Sequence, residues 1–139
     1  MSPSLALAIE YALDEAERFG HEYIGTEHLL LALIRLRQNS GYNLLRQKTN
    51  LSKLRRLTCR LIGKGTVTSR HGELPLTPRA LEAIESARAI AQTSGNQIDA
   101  DHLFLGLIRD RDSVACELLL TIGVTNEQLN ECCHDTCAE

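Results

Sequence analysis

Apolar residues recur at helical spacing in two long segments of the chain. The first stripe follows Ser2-Pro3 and stops at Gly20, and the second follows Thr77-Pro78 and stops at Gly95. The stripe residues are Leu5, Ile9, Ala12, Ala16 and Phe19 in the first segment, and Ala80, Ile84, Ala87 and Ala91 in the second. Spacings of three and four predict an amphipathic helix, Ser-Pro or Thr-Pro fits its start, and Gly fits its end. The pattern therefore predicts two matching long helices.

Three shorter helices are predicted to follow each long one. The segments from Thr26 to Leu36 and from Ala100 to Arg109 are so strongly apolar that their helices should be central. The remaining helices are predicted at Ser40 to Gln47 and Asn50 to Ile62, and at Asp112 to Ile122 and Thr125 to His134. Thr125 and Gln128 have the spacing of a capping box. The predicted fold class is all-α, with about eight helices.

The two halves form an internal repeat. His28 to Arg35 reads HLLLALIR and returns as HLFLGLIR from His102 to Arg109. We predict a pseudo-twofold duplication of a four-helix unit, with repeat one at about 2–62, a linker at about 63–76, repeat two at about 77–134 and a polar tail at 135–139. Two short copies seldom bury enough apolar surface alone, so we expect them to pack as one domain.

The composition of the chain limits the classes of function that it can have. The chain has 139 residues, a formal net charge of −3 and 4% aromatic residues, which argues against nucleic acid as a partner. No apolar stretch is long enough to span a bilayer and no signal peptide is visible, so we expect a cytoplasmic protein without a membrane partner. Gly63-Lys64-Gly65-Thr66 lacks the spacing of a phosphate-binding loop, and no nucleophile motif occurs. We expect no enzyme activity and no cofactor.

Histidine and cysteine residues are the candidate metal ligands of the chain. His28 and His102 begin the central helices, where each is expected to bond a backbone group near the helix start. Cys59 and Cys116 fall in apolar helical patterns and are interpreted as buried thiols. Cys132, Cys133 and Cys137 lie near His134 without a recognised zinc spacing, and are interpreted as incidental. The alternative is a thiol- or metal-responsive protein that uses these C-terminal cysteines.

Three segments resemble the amino-terminal domain of the Clp family of AAA+ unfoldases, of the ClpC and ClpA type. They are GHEYIGTEHLLLALI at 20–34, LTPRA at 76–80 and DHLFLGLIR at 101–109. The resemblance implies an all-α pseudo-repeat that recruits adaptors and substrates of the Clp system. We expect a non-catalytic binding module, monomeric or weakly dimeric, that recognises such proteins or regulates Clp ATPase or protease subunits. The alternative within this family is a structural accessory subunit, and the cysteine-containing tail favours a stand-alone protein.

The resemblance also implies a candidate site. Glu27 and Asp101 occupy equivalent first-turn positions, and in ClpC-type domains the matching acids help to bind the guanidinium of phosphoarginine, while a Thr and an Arg hold the phosphate. The second repeat has Thr77, Arg79 and Asp101, whereas Ser4 takes the place of the Arg in the first. We therefore expect at most one such site, in the second repeat. The alternative is that both acids only complement the helix dipole.

Basic residues cluster at the end of the first half. They are Arg35, Arg37, Arg46, Lys48, Lys53, Arg55, Arg56 and Arg60. A charge run usually marks a solvated face. The alternative is a surface that docks on an acidic region of a Clp partner.

Overall fold

A computed structural model describes residues 2–65 and 74–137, with side chains as far as Cys133. In these ranges the chain forms eight α-helices and no β-strand. The helices are α1 (Pro3–Arg18), α2 (Thr26–Leu36), α3 (Ser40–Leu45), α4 (Leu51–Ile62), α5 (Pro78–Thr93), α6 (Ala100–Arg109), α7 (Val114–Thr121) and α8 (Asn126–Cys137). The predicted all-α class is confirmed.

The ends of α1 and α5 follow the predicted chemistry. The side-chain oxygens of Ser2 and Thr77 each accept a hydrogen bond from the backbone N–H three residues further on, at 3.2 and 3.1 Å. Gly20 and Gly95 follow these helices with φ of 71° and 70°, a left-handed conformation that glycine adopts without steric cost. The two helices therefore begin and end in the same way.

Three helix boundaries differ from the predicted ones. The helix α3 ends at Leu45, and α7 begins at Val114 because the Ser113 hydroxyl accepts from the Cys116 N–H and is its N-cap. The helix α8 starts with the expected capping box and continues to Cys137, so it includes residues 135–137 of the predicted tail. The number and order of the elements are unaffected.

The helices α2 and α6 lie at the centre of one hydrophobic core. Every residue of α2 from Thr26 to Ile34 is buried, and so are all residues of α6 from His102 to Ile108. The helix α1 packs on α2, α5 packs on α6, and α2 also contacts α5, α6 and α7 of the other half. This confirms the prediction that the two most apolar helices are central.

The predicted linker is attached to the loop that follows α1. Gly65 donates its N–H to the Phe19 carbonyl at 2.7 Å, and Ile24 donates its N–H to the Pro75 carbonyl at 2.8 Å. Residues 66–73 of the linker lie outside the described residues. The second attachment places the start of α5 beside the start of α2.

Candidate protein-binding site

The start of each long helix lies beside the central helix of the other repeat. Thr77 donates its backbone N–H to the Ile24 carbonyl at 3.0 Å, and Ser2 donates its N–H to the Ile98 carbonyl at 3.1 Å. These two bonds occupy equivalent positions in the duplication. Consequently α5 begins next to α2, α1 begins next to α6, and a site at either junction contains residues of both repeats.

A cavity of about 440 Å³ lies at the junction of α2, α5 and α7, and we call it the α2–α5 cavity. Three of the four predicted site residues line it, namely Glu27, Thr77 and Arg79. Tyr23 and Asp112 contribute further polar groups to the lining. The volume is within the range of ordinary ligand sites, which can accept one large side chain.

Glu27 supplies a buried carboxylate to this cavity. Its residue is only 3% exposed, and its side chain folds back over Gly25, where any Cβ would collide with the carboxylate. Burial raises the pKa of Glu27, while hydrogen bonds from its own backbone N–H and from the Tyr23 hydroxyl act in the opposite direction. These bonds fix the carboxylate at the start of α2, where the helix dipole also favours negative charge.

Arg79 supplies a cation on the first turn of α5. Its Nη1 donates to both carboxylate oxygens of Asp110 at 2.7 Å, and about half of its side chain remains exposed. Neither Nη2 nor Nε donates to another described residue, so part of the guanidinium fork is available to a ligand. The lining of one cavity thus contains both a carboxylate and a guanidinium.

Asp101 is not part of the α2–α5 cavity, which corrects the expected grouping. Its carboxylate accepts a hydrogen bond from the Ser40 N–H at 2.6 Å, at the start of α3. The serine that replaces the arginine, Ser4, lies at the same junction, where its hydroxyl accepts from the Ala100 N–H at 3.4 Å. The grouping of Thr77 and Arg79 with Asp101 is wrong because the helix starts are exchanged between the repeats. The cavity therefore contains the longer acid, Glu27.

The structural interpretation of both helix-start histidines is confirmed. His28 Nδ1 accepts from the Gly25 N–H at 2.8 Å, and His102 Nδ1 accepts from the Asp99 N–H at 3.0 Å. The sequence did not indicate that His28 also has a partner, His21, whose ring stacks between Phe19 and Tyr23. Because the second repeat has no histidine at the matching position, comparison of the two repeats did not reveal this pair.

The histidine pair forms a directed chain of hydrogen bonds. Because the Gly25 N–H occupies Nδ1 of His28, its Nε2 carries the proton and donates to Nδ1 of His21 at 2.9 Å. Nε2 of His21 then donates to the Gly63 carbonyl at 2.9 Å. Burial lowers the pKa of His28 to about 3. His28 is therefore neutral in this arrangement, and the pair attaches the end of α4 to the loop before α2.

The described residues contain no group of three or more His, Cys, Asp and Glu side chains that could hold a metal ion. Cys116 is fully buried, as predicted, whereas Cys59 is only partly buried. Cys132 and Cys133 are partly buried against the core. The side chains of His134 and Cys137, which the metal-responsive alternative also needs, lie outside the described residues.

Comparison with known proteins decides the family. The model of the Clp repeat N-terminal domain matches the chain over residues 1–98 and again over residues 76–138. The chain belongs to the Clp repeat N-terminal domain family. Two matches in one chain agree with the duplication seen in sequence and structure. No helix in the described part of this Clp repeat domain is long and apolar enough to cross a membrane.

Curated relatives of this Clp repeat domain are much longer proteins. A probable ATP-dependent Clp protease ATP-binding subunit of Chlamydia pneumoniae is 34% identical over 125 residues, which cover 88% of this chain and 15% of the relative. The ATP-dependent Clp protease ATP-binding subunit ClpA homologue of Trieres chinensis is 40% identical over 120 residues. These residues cover 84% of this chain and 13% of the relative. The chain therefore spans about one seventh of these proteins.

Solved structures share the fold of this Clp repeat domain. The N-terminal domain of the chaperone ClpD from Arabidopsis thaliana matches with a TM-score of 0.78 and 19% identity, covering 100% of this chain and 95% of that one. The Hsp104 N-terminal domain from Candida albicans matches with a TM-score of 0.70 and 17% identity, covering 92% and 85%. Both matches show that this chain shares their fold.

Proposed function

We propose that this Clp repeat domain binds adaptors or substrates of a Clp unfoldase, and that the α2–α5 cavity is the contact point. The observation that carries the proposal is the buried carboxylate of Glu27 facing the same cavity as Arg79. A ligand that fits both groups has a cationic part and an anionic part close together. Phosphoarginine on a tagged client has this character.

The roles of the residues follow from their chemistry. Glu27 accepts N–H bonds from the ligand guanidinium, and its own hydrogen bonds keep it oriented before the ligand arrives. Arg79 and the start of α5 contact the phosphate, because a guanidinium fork and helix N-terminal N–H groups both suit this anion. The Thr77 hydroxyl accepts from the Ala80 N–H and can donate its own proton to a phosphate oxygen. The counterpart junction at Asp101 has Ser4 at the position that matches Arg79.

Titration calorimetry with a phosphoarginine-containing peptide tests the proposal. Arg79→Gln should weaken binding by about tenfold or more, since it removes a charge-assisted contact. Arg88→Gln is the matched control, because Arg88 is an exposed arginine of the same helix outside the cavity. The same peptide with unmodified arginine or with phosphoserine should bind more weakly. Equal affinity for the wild type and Arg79→Gln would remove the phosphoarginine proposal.

A further inference from the structure

The small net charge of the chain conceals a strong segregation of charge. Residues 28–72 contain ten Lys and Arg residues and no Asp or Glu, whereas the rest of the chain contains five Lys and Arg and all eighteen Asp and Glu. A segment of this kind creates a positive field on one part of the surface, whatever the total charge. The described part of this segment forms α2, α3 and α4 of the first repeat.

Two of these cations serve the fold. Glu15 of α1 is fully buried, and both of its oxygens accept from Arg55, at 2.8 and 2.7 Å, while Arg35 donates to it at 2.7 Å. The other described cations of α2 to α4 and of the turns after them are exposed and pair with no carboxylate among the described residues. They are Arg37, Arg46, Lys48, Lys53, Arg56, Arg60 and Lys64.

Two of the unpaired cations line a second cavity. It has a volume of about 420 Å³, and it lies where the end of α2 and the end of α3 meet the start of α4. Arg37 and Arg46 contribute its unpaired charge, and Arg35, which is paired with Glu15, also lines it. Tyr11, Tyr42 and Leu51 contribute apolar surface, and no carboxylate of the described residues is part of the lining. We call it the basic cavity. It lies at the opposite end of α2 from the α2–α5 cavity, roughly 15 Å away along the helix axis.

We propose that the basic cavity binds an acidic segment of a partner protein, in which carboxylates flank an aromatic or aliphatic side chain. Arginine forks suit carboxylates, and the tyrosine rings and Leu51 give an apolar side chain a surface to bury. The cavity is short, whereas a single-stranded nucleic acid needs an extended groove with several stacking platforms. This binding involves other residues and needs no cationic group on the ligand, in contrast to the α2–α5 cavity, so it stands or fails independently of the function proposed above.

Fluorescence anisotropy with a labelled Glu-Glu-Phe-Glu-Glu peptide tests this proposal. The variant combines Arg37→Asn with Arg46→Gln, and asparagine is chosen because residue 37 has a φ of 72°, a conformation that Asn tolerates better than most residues. We expect saturable binding to the wild type and a Kd about tenfold or more higher in the variant. Arg88→Gln should change the Kd by less than about twofold, since a remote exposed charge acts only through the long-range field.

Two further measurements test whether the basic cavity prefers this peptide to other anionic ligands. Replacing the central Phe of the peptide by Ser should weaken binding, and an unchanged Kd would overturn the role of the cavity. Oligo-dT and phosphatidylserine vesicles are added as competitors at matched salt. Either probe could displace the labelled peptide more strongly than unlabelled peptide does. If that stronger competition is lost in the double variant, the cavity is assigned to that probe instead. Since both arginines are exposed, an unchanged thermal unfolding midpoint shows that the variant remains folded.

Discussion

The carboxylate of Glu15 receives two hydrogen bonds from the guanidinium of Arg55, and it does so from a fully buried position on α1. A third bond comes from Arg35, whose guanidinium also lies 4.2 Å from the centre of the Tyr11 ring. One acid thereby fastens α1 to α2 and α4. A buried carboxylate is tolerated only with such partners, because its burial otherwise carries a large desolvation cost.

Replacement of Glu15 by Gln should therefore destabilise the domain. We expect the free energy of unfolding to fall by about 2–3 kcal/mol, because the hydrogen bonds from Arg35 and Arg55 lose their anionic acceptor while both arginines keep some access to water. Asp14→Asn is the matched control, since Asp14 also bonds Arg35 but about half of its side chain is exposed, and it should cost less than about 1 kcal/mol. Urea unfolding followed by circular dichroism measures both, and equal losses in the two variants would contradict the assignment.

The histidine pair predicts an acid-sensitive stability. The unfolded chain protonates His28 near its ordinary pKa of 6.5, whereas the folded chain does so only near 3. Between these values the unfolded state binds the extra proton, so the free energy of unfolding falls as the pH is lowered, by up to about 1.4 kcal/mol per pH unit. The contribution is complete above pH 6.5 and is lost progressively towards pH 3.

Denaturant titrations between pH 7 and pH 4 of the wild type and His28→Gln check this origin. The carboxylates contribute to acid sensitivity in both proteins, so the difference in slope isolates the histidine. We expect a shallower dependence on pH in the variant. Identical slopes would show that His28 does not titrate differently in the folded and unfolded chains.

Gly106 is expected to be necessary for the packing of α6 on α5. A Cβ at this position would collide with the Ala83 carbonyl, although alanine at the equivalent position of the first repeat, Ala32, is fully buried without difficulty. Gly106→Ala should cost about 1–3 kcal/mol through overpacking, even though alanine favours a helix more than glycine. A thermal unfolding midpoint above that of the wild type would show that the two helices can separate at no cost.

The junction of α1 and α6 offers a test by gain of function. Ser4→Arg would place a cation beside Asp101, in the position that Arg79 occupies relative to Glu27. If the α2–α5 cavity binds phosphoarginine as proposed, calorimetry of this variant should show a second, weaker binding event, because Asp101 is one methylene shorter and already accepts from the Ser40 N–H. Unaltered stoichiometry would mean that the acid at this junction only serves the fold.

Cys116 should resist alkylation in the folded protein. Burial raises the pKa of its thiol, and the Sγ–H group contacts the Leu107 carbonyl at 3.7 Å, so little reactive thiolate is accessible. Iodoacetamide labelling followed by peptide mass spectrometry should modify Cys116 only after urea is added. Rapid labelling without denaturant would indicate that α7 opens in the native state.

Local patterns accounted for the helices better than for the site. The Ser-Pro and Thr-Pro starts, the two glycine ends and the strongly apolar α2 and α6 each depend on a few adjacent residues, so the sequence alone predicts them. The assignment of Asp101 failed because repeat alignment gives equivalent residues and does not say which residues meet. The bond from Thr77 to Ile24, which brings Arg79 to Glu27, depends on how the repeats dock. The same holds for Arg55 and Glu15, which are forty residues apart.

The exchange of helix starts between the repeats also has a thermodynamic consequence. Glu27 and Arg79 come from different halves of the duplication, so a ligand that contacts both opposes their separation. By mass action such a ligand raises the free energy of unfolding by RT ln(1 + [L]/Kd), where [L] is the free ligand concentration. If clients bind as proposed, the contacts that recognise a client would also hold the two repeats together. The domain with a bound client would then be harder to pull apart than the empty domain.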